Sequence, residues 1–311
     1  MNKINDIINK NSIMVLDGAF STELEAKGYN LDDPLWSAKF LIDSPEAIVK
    51  VHKDYLNAGA DCIITASYQA TFEGFMKRGL SEIEARDLIK LSVTIAKNTR
   101  DKFWSKPKNQ IDRLKPLVAA SVGPYGAYLA DGSEYRGNYN IDEKELIEFH
   151  KKRLETLISA KPDILACETI PCLIEAKALT NLLEKYPEIS AWISFSAKDG
   201  KHINSGEKIE ECAKFLDRYK QVKAIGVNCT APQYVESLIG EIRKGTDKPI
   251  IVYPNLGETY DPSKKVWNGS SCDLSYNEYA LKWYEKGARI IGGCCRTTPE
   301  DIRKIAKWKR R

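Results

Sequence analysis

Residues 223–229 read KAIGVNC and residues 288–295 read ARIIGGCC. Each is a short apolar run rich in β-branched residues that closes on an amide or on sulfur. Near-continuous apolar runs, as opposed to strict alternation, are the pattern of parallel strands covered by helices. Six more runs of the same style precede or separate these two: IMVLDGA (13–19), CIITASY (62–68), LVAASVG (117–123), ILACETI (164–170), AWISFS (191–196) and IIVYPN (250–255). Segments with helical spacing and charged faces lie between them, at 45–58, 81–100, 142–159, 174–185, 208–219, 234–243, 276–286 and 299–309. Strand and helix therefore alternate eight times, without a composition break or a Gly/Ser- or Pro-rich linker. The expectation is an α/β protein in which residues 1–311 form a single (β/α)8 TIM-type barrel. A doubly wound sheet shares the alternation, but no Gly-x-Gly-x-x-Gly follows the first strand.

Composition removes several classes of function. The 311 residues are 43% hydrophobic and 29% charged, which excludes a disordered chain. No apolar run approaches the ~20 residues of a membrane span. A formal net charge of +4 is too small to argue for nucleic acid. The basic end (Lys307, Lys309, Arg310, Arg311) suits the C-terminus of a last helix. The start, MNKINDIINKN, has no apolar core of signal-peptide type, so a cytoplasmic location is expected. Its Ile4, Ile7 and Ile8 have the spacing of a short helix able to cover the barrel bottom.

In a reducing compartment, clustered cysteines point to metal binding or catalysis and not to disulfides. There are eight cysteines and three histidines, so a metal site must lean on sulfur. Long connections follow strand ends (20–44, 124–141 and 256–275), which puts extra chain at the C-terminal mouth where barrel enzymes keep their chemistry. The same strand ends carry Asp17-Gly18, Ser67-Tyr68-Gln69, Cys167-Glu168-Thr169, Asn228-Cys229-Thr230, Tyr253-Pro254-Asn255 and Cys294-Cys295-Arg296. Neighbouring residues on a regular strand face opposite ways. Gly292 and Gly293 are expected to relax that limit by admitting backbone conformations closed to other residues, so that Cys294 and Cys295 reach one point with Cys229. Three thiolates and one open position suit catalytic Zn2+. Cys62, Cys167, Cys172, Cys212 and Cys272 read as small buried hydrophobes. A redox pair is disfavoured, because vicinal disulfides are strained and no Cys-x-x-Cys is present. Thr298 and Pro299 read as the cap and first turn of the last helix. His52, His150 and His202 are isolated in sequence and receive no role.

Taken together, Asp17 to Glu23 (DGAFSTE), Ser67-Tyr68-Gln69, Gly226-Val227-Asn228-Cys229 and Gly292-Gly293-Cys294-Cys295 resemble the zinc-dependent homocysteine S-methyltransferase family. Asp33 to Ser37 (DPLWS) and Ser121 to Gly126 (SVGPYG) fit its S-methylmethionine-using branch, and the resemblance runs from about Val15 to about Ile305. It implies one Zn2+ per chain on Cys229, Cys294 and Cys295, homocysteine bound through its thiol, and methionine as product. It also implies that Glu168 takes the substrate ammonium and that the Asp17-Gly18 turn takes the amino-acid end. An ionised carboxylate is acceptor-only, which suits an ammonium, and the Gly18 and Ala19 N–H groups can approach a carboxylate. Glu168 as a structural ion-pair member and Asp17 as a turn residue remain open alternatives. On the donor side, Trp36, Tyr68 and Tyr253 offer π-faces to a sulfonium. Ser67, Gln69 and Asn255 offer polar groups, and Trp36 and Ser67 are taken as the donor-site candidates.

The expected partners are two small molecules, homocysteine and a sulfonium donor (S-methylmethionine, or also S-adenosylmethionine). The chain lacks the C-terminal assembly arm of betaine-using relatives, so a monomer is expected. Betaine as donor, selenocysteine as acceptor, and a zinc- or thiol-binding barrel without turnover are the alternatives.

Overall fold

The computed structural model describes residues 3–257, 259–261, 266–268 and 274–308. Eight parallel strands form the inner sheet: β1 (Met14–Val15), β2 (Cys62–Ile64), β3 (Leu117–Val122), β4 (Ile164–Ile170), β5 (Ala191–Phe195), β6 (Val222–Asn228), β7 (Ile250–Tyr253) and β8 (Ala288–Ile291). Their order around the sheet is β1-β8-β7-β6-β5-β4-β3-β2, each neighbour parallel. The two ends of that order meet through a parallel bridge between Leu16 and Cys62, making a (β/α)8 TIM barrel.

Side chains supply half of the hydrogen bonds that stitch that last seam. The Asp17 N–H donates to the Cys62 carbonyl (3.1 Å) and the Asp61 N–H to the Val15 carbonyl (2.6 Å). Beside them, the Ile64 N–H donates to Asp17 Oδ2 (2.7 Å) and the Val15 N–H to Asp61 Oδ2 (3.0 Å). Two buried carboxylates thus stand where ladder carbonyls would be.

Alternation along the strands divides the core in two. Met14, Leu16, Leu117, Ala119, Ile164, Ala166 and Ile290 fill the barrel interior, while Val15, Val118, Ala120, Leu165 and Ile291 pack outward against the helices. The N-terminal helix Lys3–Asn11 sends Ile4 and Ile7 into the interior cluster, with Ile8 half-buried beside it.

Helices follow the strands as the spacing predicts, among them Pro45–Ala58, Glu82–Trp104, Glu143–Ser159, Leu173–Leu183 and Tyr276–Lys286. Ser81, Asp142 and Ser275 each begin a helix with a reciprocal capping box. Thr298 does so for Pro299–Trp308 with Asp301 as its partner. Left-handed Gly59 and Gly287 end the helices that lead into β2 and β8, a conformation without steric cost for glycine. Lys307 lies in the last turn of the final helix, whereas Lys309, Arg310, Arg311 and Cys272 lie outside the described residues. Among the described residues no helix is long and apolar enough to cross a membrane.

Strands β1, β2 and β8 are shorter than the apolar runs that announced them. The tails of those runs leave the sheet and become the walls of the barrel mouth. The long connections hold short helices at Phe20–Ala26 and Tyr125–Leu129, and another, Phe72–Lys77, precedes Glu82–Trp104.

Candidate functional site

A cavity of about 270 Å3 opens at the C-terminal mouth, between the strand ends and the connections after β1 and β3. Asp17, Gly18, Trp36, Glu168, Cys229, Cys294 and Cys295 all line it. Ser67 does not.

The three cysteines converge. Their sulfurs lie within 4.8 Å of one another, and among the described residues they are the one group of three or more ligand side chains placed to hold a metal ion. Cys229 Sγ is 3.8 Å from Cys295 Sγ, and Cys294 Sγ is 3.9 Å from it. Cys229 and Cys294 are in disulfide contact, with Cα atoms 5.6 Å apart. That contact joins residues that follow two different strands, not the adjacent pair Cys294 and Cys295. The close approach needed for shared coordination also brings two sulfurs within bonding reach.

Strand β7 aligns both halves of the cluster: the Cys229 N–H donates to the Tyr253 carbonyl (3.3 Å) and the Cys294 N–H to the Pro254 carbonyl (2.9 Å). Burial pushes the Cys295 thiol up to about 12. A soft cation reverses that preference by deprotonating a coordinating thiol, so the donor set fits such an ion.

The glycines before Cys294 act differently from the expectation. Neither Gly292 nor Gly293 has a positive φ. A Cβ on Gly292 would collide with Leu16, and one on Gly293 with Thr297. They are needed for close packing at the β1–β8 junction. The left-handed residues are Cys229 (φ 45°) and Arg296 (φ 74°), which turn the chain after β6 and after the cysteine pair.

Glu168 is 7% exposed at the cavity wall. Its Oε1 accepts from the Ser121 hydroxyl and its Oε2 from the Tyr253 hydroxyl (3.1 Å). Burial pushes its carboxyl up to about 7 against those two hydrogen bonds. Asp17, 3% exposed, is raised well above the ordinary carboxyl range, first by burial and also by the charge of Glu168. No ion pair engages Glu168 among the described residues.

Next to Glu168, Thr169 has φ 59°, a genuine exception for a β-branched residue. Asn228 holds it there: Oδ1 accepts the Thr169 N–H (2.7 Å) and Nδ2 donates to Thr169 Oγ1 (2.7 Å). The Ser194 hydroxyl also donates to Asn228 Oδ1 (2.8 Å).

Several expected contacts are redistributed. The Ala19 N–H donates to Thr297 Oγ1 (3.1 Å) and is closed to a ligand. The Gly18 N–H keeps no partner among the described residues. Ser67 is fully buried; its hydroxyl donates to the Ser121 carbonyl (2.8 Å) and lies 2.6 Å from Thr65 Oγ1. Its hydroxyl points into the strand pairing and supports the Ser121 backbone. Trp36 lines the cavity with φ 48°, its indole N–H on the Ser21 hydroxyl. The Tyr253 hydroxyl belongs to a buried network with Glu168, Ser194 (2.6 Å) and Trp192 (3.0 Å).

Two groups escaped the sequence reading. Glu134 lines the cavity, with Oε2 shut off from solvent and without a partner among the described residues. His150, set aside as isolated, is fully buried between Glu175 (2.8 Å) and Arg153 (2.8 Å). The Arg153 guanidinium only donates, so His150 Nδ1 accepts and Nε2 carries the proton toward Glu175. Glu175 also accepts the Tyr125 N–H (2.6 Å) and the Tyr139 hydroxyl (3.1 Å). It thereby ties down both flanks of the connection that carries Glu134. The only sequence signal for these residues is the length of that connection.

Comparison with known proteins gives this geometry its context. Residues 14–308 match the family model described as homocysteine S-methyltransferase. The chain is 62% identical over 310 residues to homocysteine S-methyltransferase YbgG of Bacillus subtilis, covering 100% of this chain and 98% of that one. Among solved structures it is similar to the homocysteine methyltransferase MmuM of Escherichia coli in its oxidized form, with 44% identity, a TM-score of 0.88 and 99% of each chain covered. It is also similar to the metallated form, with 43% identity, a TM-score of 0.88, and 98% of this chain and 99% of that one covered. The chain belongs to the homocysteine S-methyltransferase family and is a methyltransferase.

Proposed function

We propose that the protein transfers a methyl group from S-methylmethionine to the thiolate of homocysteine, giving two molecules of methionine, with one Zn2+ held by Cys229, Cys294 and Cys295. The observation that carries this reading is the convergence of three sulfurs, within 4.8 Å of one another, on the wall of the cavity that also holds Glu168. Three sulfur ligands with a position left for substrate suit catalytic Zn2+. When bound, the ion supplies a Lewis acid that keeps a substrate thiol deprotonated at neutral pH.

The chain's own residues bind and orient. Glu168 accepts hydrogen bonds from the homocysteine ammonium, a cation that favours its ionised form. The free Gly18 N–H takes the substrate carboxylate, with Asp17 beside it on the same wall. Trp36 offers its ring to the sulfonium, an interaction of roughly 0.5–2 kcal/mol. Ser67 acts at one remove, holding the Ser121 backbone whose hydroxyl donates to Glu168. In the transfer, a C–S bond forms between the donor methyl carbon and the homocysteine sulfur while the methyl–sulfonium bond breaks. The electron pair stays on the departing sulfur, which becomes a neutral thioether.

The test is methionine formation by the purified protein from homocysteine and S-methylmethionine, with and without a zinc chelator. Two methionines per turnover, abolished by the chelator and restored by Zn2+, is the expected result. Turnover indifferent to chelation overturns the metal. Turnover with betaine or S-adenosylmethionine but not S-methylmethionine overturns the donor.

A further inference from the structure

We infer that Glu134 selects the methyl donor: its carboxylate faces the donor's positive charge and sets a preference for a sulfonium over the neutral thioether left after transfer. This inference rests on the methyl-transfer reading of the cavity. Four carboxylates line that cavity, Asp17, Asp33, Glu134 and Glu168. Asp33 pairs with Arg78 (2.9 Å), Asp17 holds the Ile64 N–H (2.7 Å), and Glu168 holds two hydroxyls. Only Glu134 keeps a carboxylate oxygen that is closed to solvent and has no partner among the described residues. Arg136, the nearest cation along the chain, is engaged by Asp131 (3.4 Å) and by the Ser133 hydroxyl (3.1 Å).

A carboxylate without a partner away from water is costly, and the cost falls when a cation arrives. The walls around Glu134 suit a cation that cannot donate a strong hydrogen bond. Trp36, Tyr68 and Tyr135 line the same cavity, and the negative faces of aromatic rings attract onium groups. Glu134, Tyr68, Cys295 and Glu168 all line this one cavity, so a bound donor meets the Glu134 carboxyl group beside the sulfur cluster.

The backbone that carries the carboxylate is also held in place. The Ser196 hydroxyl donates to the Glu134 carbonyl (3.0 Å), the Glu134 backbone packs so closely on Gly126 that a Cβ there would collide with it, and Glu175 fixes Tyr125 and Tyr139 on either side. A fixed charge discriminates between a sulfonium and a thioether of nearly the same shape, which a hydrophobic wall does weakly.

The experiment is calorimetric binding of S-methylmethionine and of methionine to the metal-loaded protein and to its Glu134→Gln and Glu134→Asp variants. In the starting protein the sulfonium binds more tightly than the thioether. Glu134→Gln is expected to weaken S-methylmethionine about tenfold or more while leaving methionine, homocysteine, metal content and Tm unchanged, and Glu134→Asp is expected to keep part of the preference. An unchanged ratio of the two affinities overturns the assignment. Equal loss of both ligands does so too, since it reports packing and not charge. Turnover measured in parallel separates the two claims. A starting protein that binds S-methylmethionine selectively but transfers no methyl group overturns the methyl-transfer reading, whereas turnover with selectivity intact in Glu134→Gln overturns the role of Glu134 alone.

Discussion

Asn228 grips Thr169 with both atoms of its amide, accepting the backbone N–H at 2.7 Å and donating to Oγ1 at 2.7 Å. One side chain at the end of β6 thus keeps the residue after Glu168, at the end of β4, in a left-handed conformation. Asn228 itself precedes Cys229, which is left-handed too. Backbone conformations of this kind cost roughly 1–3 kcal/mol each and persist where the surroundings over-determine them. Here they turn a carboxylate and a thiol toward the same cavity.

Asn228→Ala is expected to lower stability by about 2–4 kcal/mol, because it leaves the Thr169 N–H buried without a partner and takes one of its two partners from the Ser194 hydroxyl. Urea unfolding measures the loss. Metal content of the purified variant should fall as well, since Cys229 loses its anchored neighbour. A variant as stable as the starting protein would show that water replaces the amide.

Replacing Cys229, Cys294 or Cys295 singly by Ala should abolish stoichiometric metal binding while shifting Tm little, because the trio lies at the mouth and outside the barrel core. The same change at Cys167, fully buried in β4, should leave metal content intact. Elemental analysis with thermal unfolding distinguishes the two classes, and metal retained in any of the three mouth variants removes that residue from the ligand set.

Glu168 carries a pH signature. Its folded pKa is raised to about 7 from 4.5, so the folded state holds a proton that the unfolded state has released. The associated stability is full below about pH 4.5, falls as pH rises toward 7, and is lost above it. A shift of this size corresponds to about 3 kcal/mol at most. Unfolding of Glu168→Gln from pH 4 to 8 should show a flatter profile than that of the starting protein, with a gain in relative stability at the alkaline end. Parallel profiles would refute a raised Glu168. The same variant should keep its metal and bind homocysteine about tenfold or more weakly, which equilibrium binding checks.

Gly226→Ala tests the packing of β6 against β7. A Cβ there would run into the Ile251 carbonyl, backbone that cannot step aside. The expected loss is about 3 kcal/mol or more, visible as a much lower Tm or an insoluble product. Near-unchanged stability would mean that the two strands can separate locally.

What the sequence disclosed and what it withheld divide along a physical line. Strand runs such as 164–170, helix spans such as 45–58 and 276–286, and the Cys229/Cys294/Cys295 trio depend on local pattern and on residue chemistry, and they were legible. Where a side chain's partner comes from a distant element, pattern is silent. Ser67 looked like a mouth residue and is bound to the Ser121 carbonyl. Gly292 and Gly293 looked like conformational hinges and are spacers against Leu16 and Thr297. His150 looked solitary until helix packing brought Glu175 and Arg153 to its two nitrogens.

The seam between β1 and β2 ties mechanics to chemistry. Asp17 holds the Ile64 amide with Oδ2 and also forms part of the cavity wall. One carboxyl group therefore serves as both rivet and cavity wall. Whatever docks against it adds to the force that keeps the first two staves together, and slower amide exchange at Ile64 reports the docking without any assay of turnover. Cutting that rivet loosens the container along with its contents, so a silent Asp17 variant must be judged by its hoop before its catalysis.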